Sequence, residues 1–436
     1  MACSGGSQCH LHIMFRLKCA FQVYDWGKVG VNSEVYKLLS QTQELDNLKP
    51  YAEEYAVKLH ANRPDLYKDA NHKPEIAIAL TPFEVMVGFR PPEEIGAFAK
   101  HIPELHAIIG PDFTNGLLNI FTDKTLTSSS IKAAYSRLMN AESSVVSNLV
   151  EALKRRLTNG EKIIIPPLKN YILDTEALGE IFIRLATDYP GDVGCFSLFF
   201  FNYLKLNPGE AIFLEPNLPH AYLSGDCVEC MASSDNVIRA GLTPKFKDVD
   251  HLLRIIQYEP RWGSALKFVG LTKKIVPIDS DVHTSDDQEK NSIKDDTSVM
   301  SEIVTFSPPV DDFAVDKISD ELDIYSSFLL QISDKDKIVQ FSPLKSASVL
   351  IIIHGKGTLQ RLHWDPLSTS NTKLDSHRSK YADNYEMPSA FVCESFEYDQ
   401  GSVFFINAGT AFSVHQLQKN DLHLLAFRAY ANVSTD

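Results

Sequence analysis

The chain has 436 residues, 44% of them hydrophobic and 22% charged, with 42 Lys plus Arg against 56 Asp plus Glu and a net charge of -14. That length supports more than one domain with a sizeable core. The acidity excludes nucleic-acid binding by bulk charge, so an anionic small substrate would need a local cationic site. The longest apolar runs, around 196–201 and 349–353, are far too short to span a bilayer.

Residues 1–20 make a poor signal peptide, with Arg16 and Lys18 late and no charged segment ahead of a long apolar run. Phe15, Leu17, Cys19 and Phe21 then alternate at strand spacing. The run breaks at Tyr24-Asp25-Trp26-Gly27-Lys28. Strand and loop texture continues to about Arg90, including Glu75 ahead of the apolar run 76–80. A carboxylate entering a buried strand must be paired or metal-bound; surface exposure is the competing reading.

From Pro91 to Tyr189 the period turns helical. Pro91-Pro92-Glu93-Glu94 suits a helix N-terminus. Ile131, Tyr135, Leu138 and Met139 form one stripe. Val146, Leu149, Val150, Leu153 and Leu157 form another, stopped by Asn159-Gly160; Leu178, Ile181, Phe182 and Leu185 form a third. Such stripes are core packing. Strands are expected again over 195–206, 211–214 and 226–232, with a short helix over 249–257. Residues 279–296 hold seven acidic residues and two lysines and read as a solvated loop. A strand-rich region runs from about 304 to 430, interrupted by a hydrophilic insertion over 365–388.

Two stretches of the strand regions match. Gly209-Glu-Ala-Ile-Phe-Leu resembles Gly401-Ser-Val-Phe-Phe-Ile, each flanked by turns. This is the texture of cupin-type jelly rolls. At the same distance after the glycine the first copy has His220 and the second Phe412, so chemistry is expected in the first barrel only. His220 is either a ligand or a structural histidine. Arg239 and Lys245 form a cationic segment suited to oxyanions and phosphate, with Asp226, Glu229 and Asp235 as acid/base candidates nearby. Seven scattered cysteines make no disulfide framework and suit a reducing, cytoplasmic setting. Cys227-Val-Glu-Cys230 lacks a second half at zinc-ribbon spacing, and its cysteines face opposite sides of a strand. No glycine-rich phosphate loop and no nucleophile elbow is present.

Together these pieces resemble the type I, zinc-dependent phosphomannose isomerases of the cupin family. The resemblance rests on Tyr-Asp-Trp-Gly-Lys at 24–28, Asp-Ala-Asn-His-Lys-Pro-Glu at 69–75 and Gly-Phe-Arg-Pro at 88–91. It rests also on Tyr-Pro-Gly-Asp at 189–192 and the segment 208–246, with its Pro-His-Ala-Tyr, Gly-Asp-Cys-Val-Glu-Cys-Met-Ala and Arg-Ala-Gly-Leu-Thr-Pro-Lys. It implies a mainly β protein with two jelly-roll barrels and an α-helical insertion. The N-terminal barrel would comprise 15–90 and 191–248, the helical insertion 91–190, and the C-terminal barrel 249–436. It implies one zinc and the interconversion of mannose 6-phosphate and fructose 6-phosphate through an enediol, for GDP-mannose synthesis. By motif, Glu75 and His220 would bind zinc. Tyr222 and Glu229 would line the site, Arg239 would face the enediolate, Lys245 would lie near the sugar phosphate, and Trp26 would contact substrate. The base is left open among Glu229, Arg239 and Lys245. A monomeric enzyme with no nucleic-acid or membrane partner is expected.

The chain departs from the family at one place. The Ser-Ile-Gln-Ala-His-Pro motif, whose Gln and His complete the zinc site, is missing with several tens of residues, the seam lying at about Glu53/Glu54. The alternative reading is therefore a catalytically impaired variant with a destabilised first barrel. An iron oxygenase would want a two-His, one-carboxylate site, and the close His-x-His pair for it is absent.

Overall fold

A computed structural model describes residues 14–17, 68–118, 124–168, 174–275, 301–319, 337–363, 391–416 and 423–432. In chain order the elements begin with β1 (Met14–Leu17), β2 (Glu75–Ala79) and β3 (Phe83–Phe89). Seven helices follow: α1 (Pro92–His101), α2 (Pro103–Ile109), α3 (Pro111–Leu118), α4 (Lys124–Met139), α5 (Ser143–Thr158), α6 (Thr175–Asp188) and α7 (Gly194–Ser197). Next come β4 (Phe201–Leu206), β5 (Ala211–Leu214), β6 (His220–Ser224), β7 (Cys227–Met231), α8 (Val249–Ile255), β8 (Lys267–Phe268) and β9 (Leu271–Ile275). The rest is strand: β10 (Ser301–Phe306), β11 (Ala314–Ser319), β12 (Lys337–Phe341), β13 (Ser348–His354), β14 (Gly357–His363), β15 (Phe391–Tyr398), β16 (Val403–Ile406), β17 (Ala411–Gln416) and β18 (Leu425–Tyr430). The chain divides into two compact units, 46–269 and 1–45 with 270–436.

In the 46–269 unit, two antiparallel sheets, β7-β2-β5-β8 and β4-β3-β6, enclose one apolar core. The period of a strand sorts its side chains. Val85 and Val87 of β3 enter this core with Ala77, Ala79, Ile212 and Leu214, while Met86 on the other face joins the helical core. That second core is aromatic: Phe89, Phe98, Tyr135, Phe182, Phe199 and Phe200 are buried, with Phe182 stacked on Phe199 at 5.6 Å between centroids. The three stripes read from sequence supply Ile131, Val146, Leu153 and Leu178 to it.

Glu84, on the outer face of β3, ties sheet to helices. Its carboxylate accepts from Arg184 of α6, Tyr203 of β4 and Ser224 of β6. Burial raises its pKa, but those three donors overcome this and hold it down at about 2. A carboxylate depressed in the folded state adds stability that is complete above about pH 5 and is lost as pH falls through about 2. Glu84→Gln is expected to lower unfolding stability by about 1–2 kcal/mol after allowance for solvent screening. It should also flatten the fall of Tm between pH 5 and pH 2. Thermal melts of both proteins across that range check it; equal slopes would show that Glu84 is not the group responsible.

The other unit pairs a seven-stranded sheet, β1-β16-β13-β18-β11-β10-β9, with a four-stranded one, β12-β17-β14-β15. The sequence match between its strands and those of the first unit extends to backbone detail. Gly209 and Gly401 both take left-handed φ (86° and 81°), as do Asn217 and Gly409 (66° and 74°). Glu210 N donates to Asn207 O and Ser402 N to Asp399 O; Leu218 N donates to Glu215 O and Thr410 N to Asn407 O. His220 opens β6, and Phe412 lies in β17. Phe412 is fully buried, stacked at 4.7 Å on Phe341, with the Arg428 guanidinium 4.8 Å from its ring centroid.

The structure differs from expectation in three places. β1 is hydrogen-bonded to β16 of the second unit, Phe15 opposite Phe405, and is not a strand of the N-terminal barrel. Alternation marks a strand but is silent about its partner. The division between the units falls at 269/270, so α8 stays with the first unit rather than opening the second. The expected strand over 195–206 begins only at Phe201. Ahead of it Asp192 accepts from Gly194 N at 2.7 Å and starts the turn of α7. The seam at Glu53/Glu54, the acidic segment 279–296 and the insertion 365–388 lie outside the described residues, as does Trp26.

Candidate active site

Four of the expected site residues converge inside the first barrel. Register does the placing. In the β2–β7 pair Glu75 lies opposite Met231 and Ala77 opposite Glu229, so the two carboxylates sit diagonally on one face. In the β3–β6 pair Val87 lies opposite His220 and Val85 opposite Tyr222. Since Val85 and Val87 enter the barrel, His220 and Tyr222 enter with them.

His220 Nε2 lies 3.5 Å from Glu75 Oε2. The carbonyl of Leu218 accepts from His220 Nδ1 at 2.8 Å, which fixes the proton on Nδ1 and turns Nε2 toward the carboxylate. Tyr222 donates to Glu229 Oε1 at 2.7 Å. Burial alone would raise the Glu75 pKa, but the hydrogen bond and charge of His220, with Lys73, bring it below the usual carboxylate range. Burial would lower that of His220, and Glu75 raises it instead. Glu229 is pushed up by burial, and the neighbouring Glu75 charge adds to this against the Tyr222 hydrogen bond. The Tyr222 phenol is raised by burial and then by Glu229. The site thus holds one ionised carboxylate beside an imidazole, and a second carboxylate that keeps its proton more readily.

Arg239 and Lys245 lie on the loop after β7, half-buried and exposed respectively. Among the described residues neither side chain makes a hydrogen bond or ion pair, so both cations are available to an anionic ligand. The loop is held at both ends. Asp69 accepts from Ser234 Oγ and Asp235 N, each at 2.9 Å, and its backbone carbonyl accepts from Asn236 Nδ2 at 2.7 Å. Asp192 Oδ1 accepts from Leu242 N at 2.7 Å and Oδ2 from Lys247 Nζ at 2.9 Å. Both aspartates lie within the motifs at 69–75 and 189–192, which by themselves point to no role for them. Asp192-Val193-Gly194 carries the one local signal, an Asp two residues ahead of a glycine. Cys227 packs in the barrel, and Cys230 pairs opposite Ile76 on the other face; both thiols are free, with burial pushing their pKa values up to about 11 and about 12.

A catalytic zinc takes three protein ligands plus water. Glu75 and His220 present two convergent donors. Among the described residues no group of three or more His, Cys, Asp or Glu could hold a metal ion. The described residues therefore do not make a complete zinc site.

The two-sheet barrel with its inserted helices, the Glu75–His220 pair within it and the Arg239–Lys245 loop after β7 make a candidate enzyme site on a cupin-like frame. Comparison with known proteins makes this specific. The family model "Phosphomannose isomerase type I, helical insertion domain" matches residues 111–201, and "Phosphomannose isomerase type I, catalytic domain" matches 14–58 and 53–92. A probable mannose-6-phosphate isomerase of Echinococcus multilocularis is 35% identical over 493 residues, covering 96% of this chain and all of that protein. The Homo sapiens mannose-6-phosphate isomerase is 38% identical over 318 residues, 57% of this chain and 74% of that protein. Among solved structures, a zinc-bound mannose 6-phosphate isomerase superposes with a TM-score of 0.54 at 22% identity, covering 87% of this chain and 74% of its own. A mutant of the Salmonella typhimurium phosphomannose isomerase gives 0.54 at 23%, covering 84% and 68%. The chain belongs to the type I phosphomannose isomerase family, whose members are aldose–ketose isomerases.

Proposed function

We propose that the protein interconverts mannose 6-phosphate and fructose 6-phosphate by moving a proton between C1 and C2 of the open-chain sugar. The observation that carries this reading is the placement of Glu229, hydrogen-bonded to Tyr222, within the barrel that also holds the Glu75–His220 pair. Glu229 takes the proton from one carbon and returns it to the other. Tyr222 aims the carboxylate. Arg239 offers its fork of donors to the enediolate oxygens, and Lys245 a point charge to the phosphate. Glu75 and His220 are the metal-facing pair, and zinc is the metal we assign to them. The four described free cysteines support a reducing, cytoplasmic setting. No helix among the described residues is long and apolar enough to cross a membrane. A monomer serving GDP-mannose synthesis completes the reading.

The two catalytic-domain matches overlap at 53–58. The alignment with the Echinococcus protein, 493 positions, is longer than this 436-residue chain. The overlap supports a break in the family sequence near Glu53/Glu54, and the alignment length agrees with gaps along the chain without placing them. The test of the function is incubation of the full chain with mannose 6-phosphate in deuterated, zinc-supplemented buffer, followed by proton NMR. Fructose 6-phosphate should form, with deuterium entering at the transferred position. No product and no exchange would overturn the assignment.

A further inference from the structure

We infer that Asp69 and Asp192 are positioning residues for Arg239, acting as two carboxylate clamps at the ends of its loop. The inference rests on the role given to Arg239 above. Asp69 fixes the loop at Ser234, Asp235 and Asn236. Asp192 fixes it at Leu242 and Lys247. Only residues 237–241 lie between the two anchors, with Arg239 at the middle. Ile238, Ala240 and Leu242 pack on the helical core, which holds the same stretch by its apolar side.

The docking is close at the Asp192 end. A Cβ at Gly241 would fall 2.5 Å from Gly194 Cα, and one at Gly194 would fall 2.5 Å from Leu242 N. Backbone touches backbone there, and the Asp192 side chain, 10% exposed, satisfies the amides of both Gly194 and Leu242 with one oxygen, each at 2.7 Å. The clamps come from separate parts of the unit: Asp69 from the segment leading into β2, and Asp192 from the turn after α6. Each carries a different element's position to the guanidinium. A loop of five free residues would otherwise lose entropy on binding; clamped, it holds its cation in place before substrate arrives, and misplacement by about 1 Å can cost about a hundredfold in rate.

The test compares Asp192→Ala, Asp192→Asn, Asp69→Asn, Gly241→Ala, Lys247→Ala and Arg239→Lys in the full chain. Asp192→Ala and Gly241→Ala are expected to lower kcat for mannose 6-phosphate by about tenfold to a hundredfold with KM changed less. Asp192→Asn, which keeps an oxygen for both amides, should recover most of the loss, and Lys247→Ala, which removes one anchor and leaves the Leu242 one, should lose less than Asp192→Ala. Asp192→Ala added to Arg239→Lys should cost little more than Arg239→Lys alone, because both act on one group. Amide hydrogen exchange at 237–243 should quicken on the order of tenfold in Asp192→Ala and Asp69→Asn, with the strands of the barrel unchanged. Additive losses, or exchange unchanged at 237–243, would overturn the clamps. A parent chain that turns over no sugar phosphate overturns the functional reading instead, and the exchange measurement then decides the clamps by itself.

Discussion

Glu229→Gln is expected to lower kcat by about 10²–10⁴-fold, the range over which a positioned proton-transfer group acts, while KM moves little. The reason is in the Tyr222 contact. Gln keeps an oxygen at the position that accepts from Tyr222 at 2.7 Å, so the pocket keeps its shape and loses only the group that carries a proton. Tyr222→Phe should cost much less, because the phenol orients Glu229 and its own pKa lies far above the working range. Steady-state kinetics and deuterium incorporation on the same protein samples check both. A Glu229→Gln enzyme with parental kcat and parental exchange would move the base elsewhere, and Arg239 and Lys245 would be the remaining candidates.

Chelation should have the second large effect. Glu75 and His220 bring two donors to one point, and the Leu218 carbonyl orients the imidazole from behind, as an outer partner does for a metal-binding histidine. Two donors hold zinc less firmly than the three of a catalytic site. The desalted chain is therefore expected to retain well below one zinc per chain by elemental analysis. Its isomerase activity should fall by about tenfold or more on treatment with a chelator and return when zinc is added in excess. Zinc held at about one per chain through chelator treatment would overturn this and show that a third donor comes from residues outside the described set.

Much of this was legible in the sequence because much of it is local. The stripe at Ile131, Tyr135 and Leu138 specifies a helix by period alone, and all three are buried. Gly209 and Gly401 announced two copies of one hairpin frame because a left-handed turn leaves a mark in a single residue. Glu75 and His220 were legible as candidates, but their distance was not, since it depends on two strand registers set by residues far away. The partner of β1 escaped for the same reason. Asp69 and Glu84 were unreadable in a different way, and Asp192 showed only its local turn with Gly194. The first two are ordinary acids in the chain, indistinguishable from solvated ones until folding brings amides, hydroxyls or a guanidinium to them.

The two hairpin frames also bear on how the site could be moved. Putting histidine at Phe412 would reproduce the residue and the turn geometry of the first barrel, yet not its chemistry. The position lies under the Arg428 guanidinium, itself buried, hydrogen-bonded to Ser348 and in contact with Phe341 and Tyr430. An imidazole placed there would share its cavity with a fixed cation, which repels a metal ion and disfavours its own protonation. Transplanting the centre into the second barrel thus means removing Arg428 before adding any ligand. Asp316, opposite Arg428 across the β11–β18 pair and holding Thr305 and Tyr430, would then lose the positive charge that faces it. A matching hairpin frame is thus not enough to carry the chemistry, because the Arg428 charge beside Phe412 already decides what that position can hold.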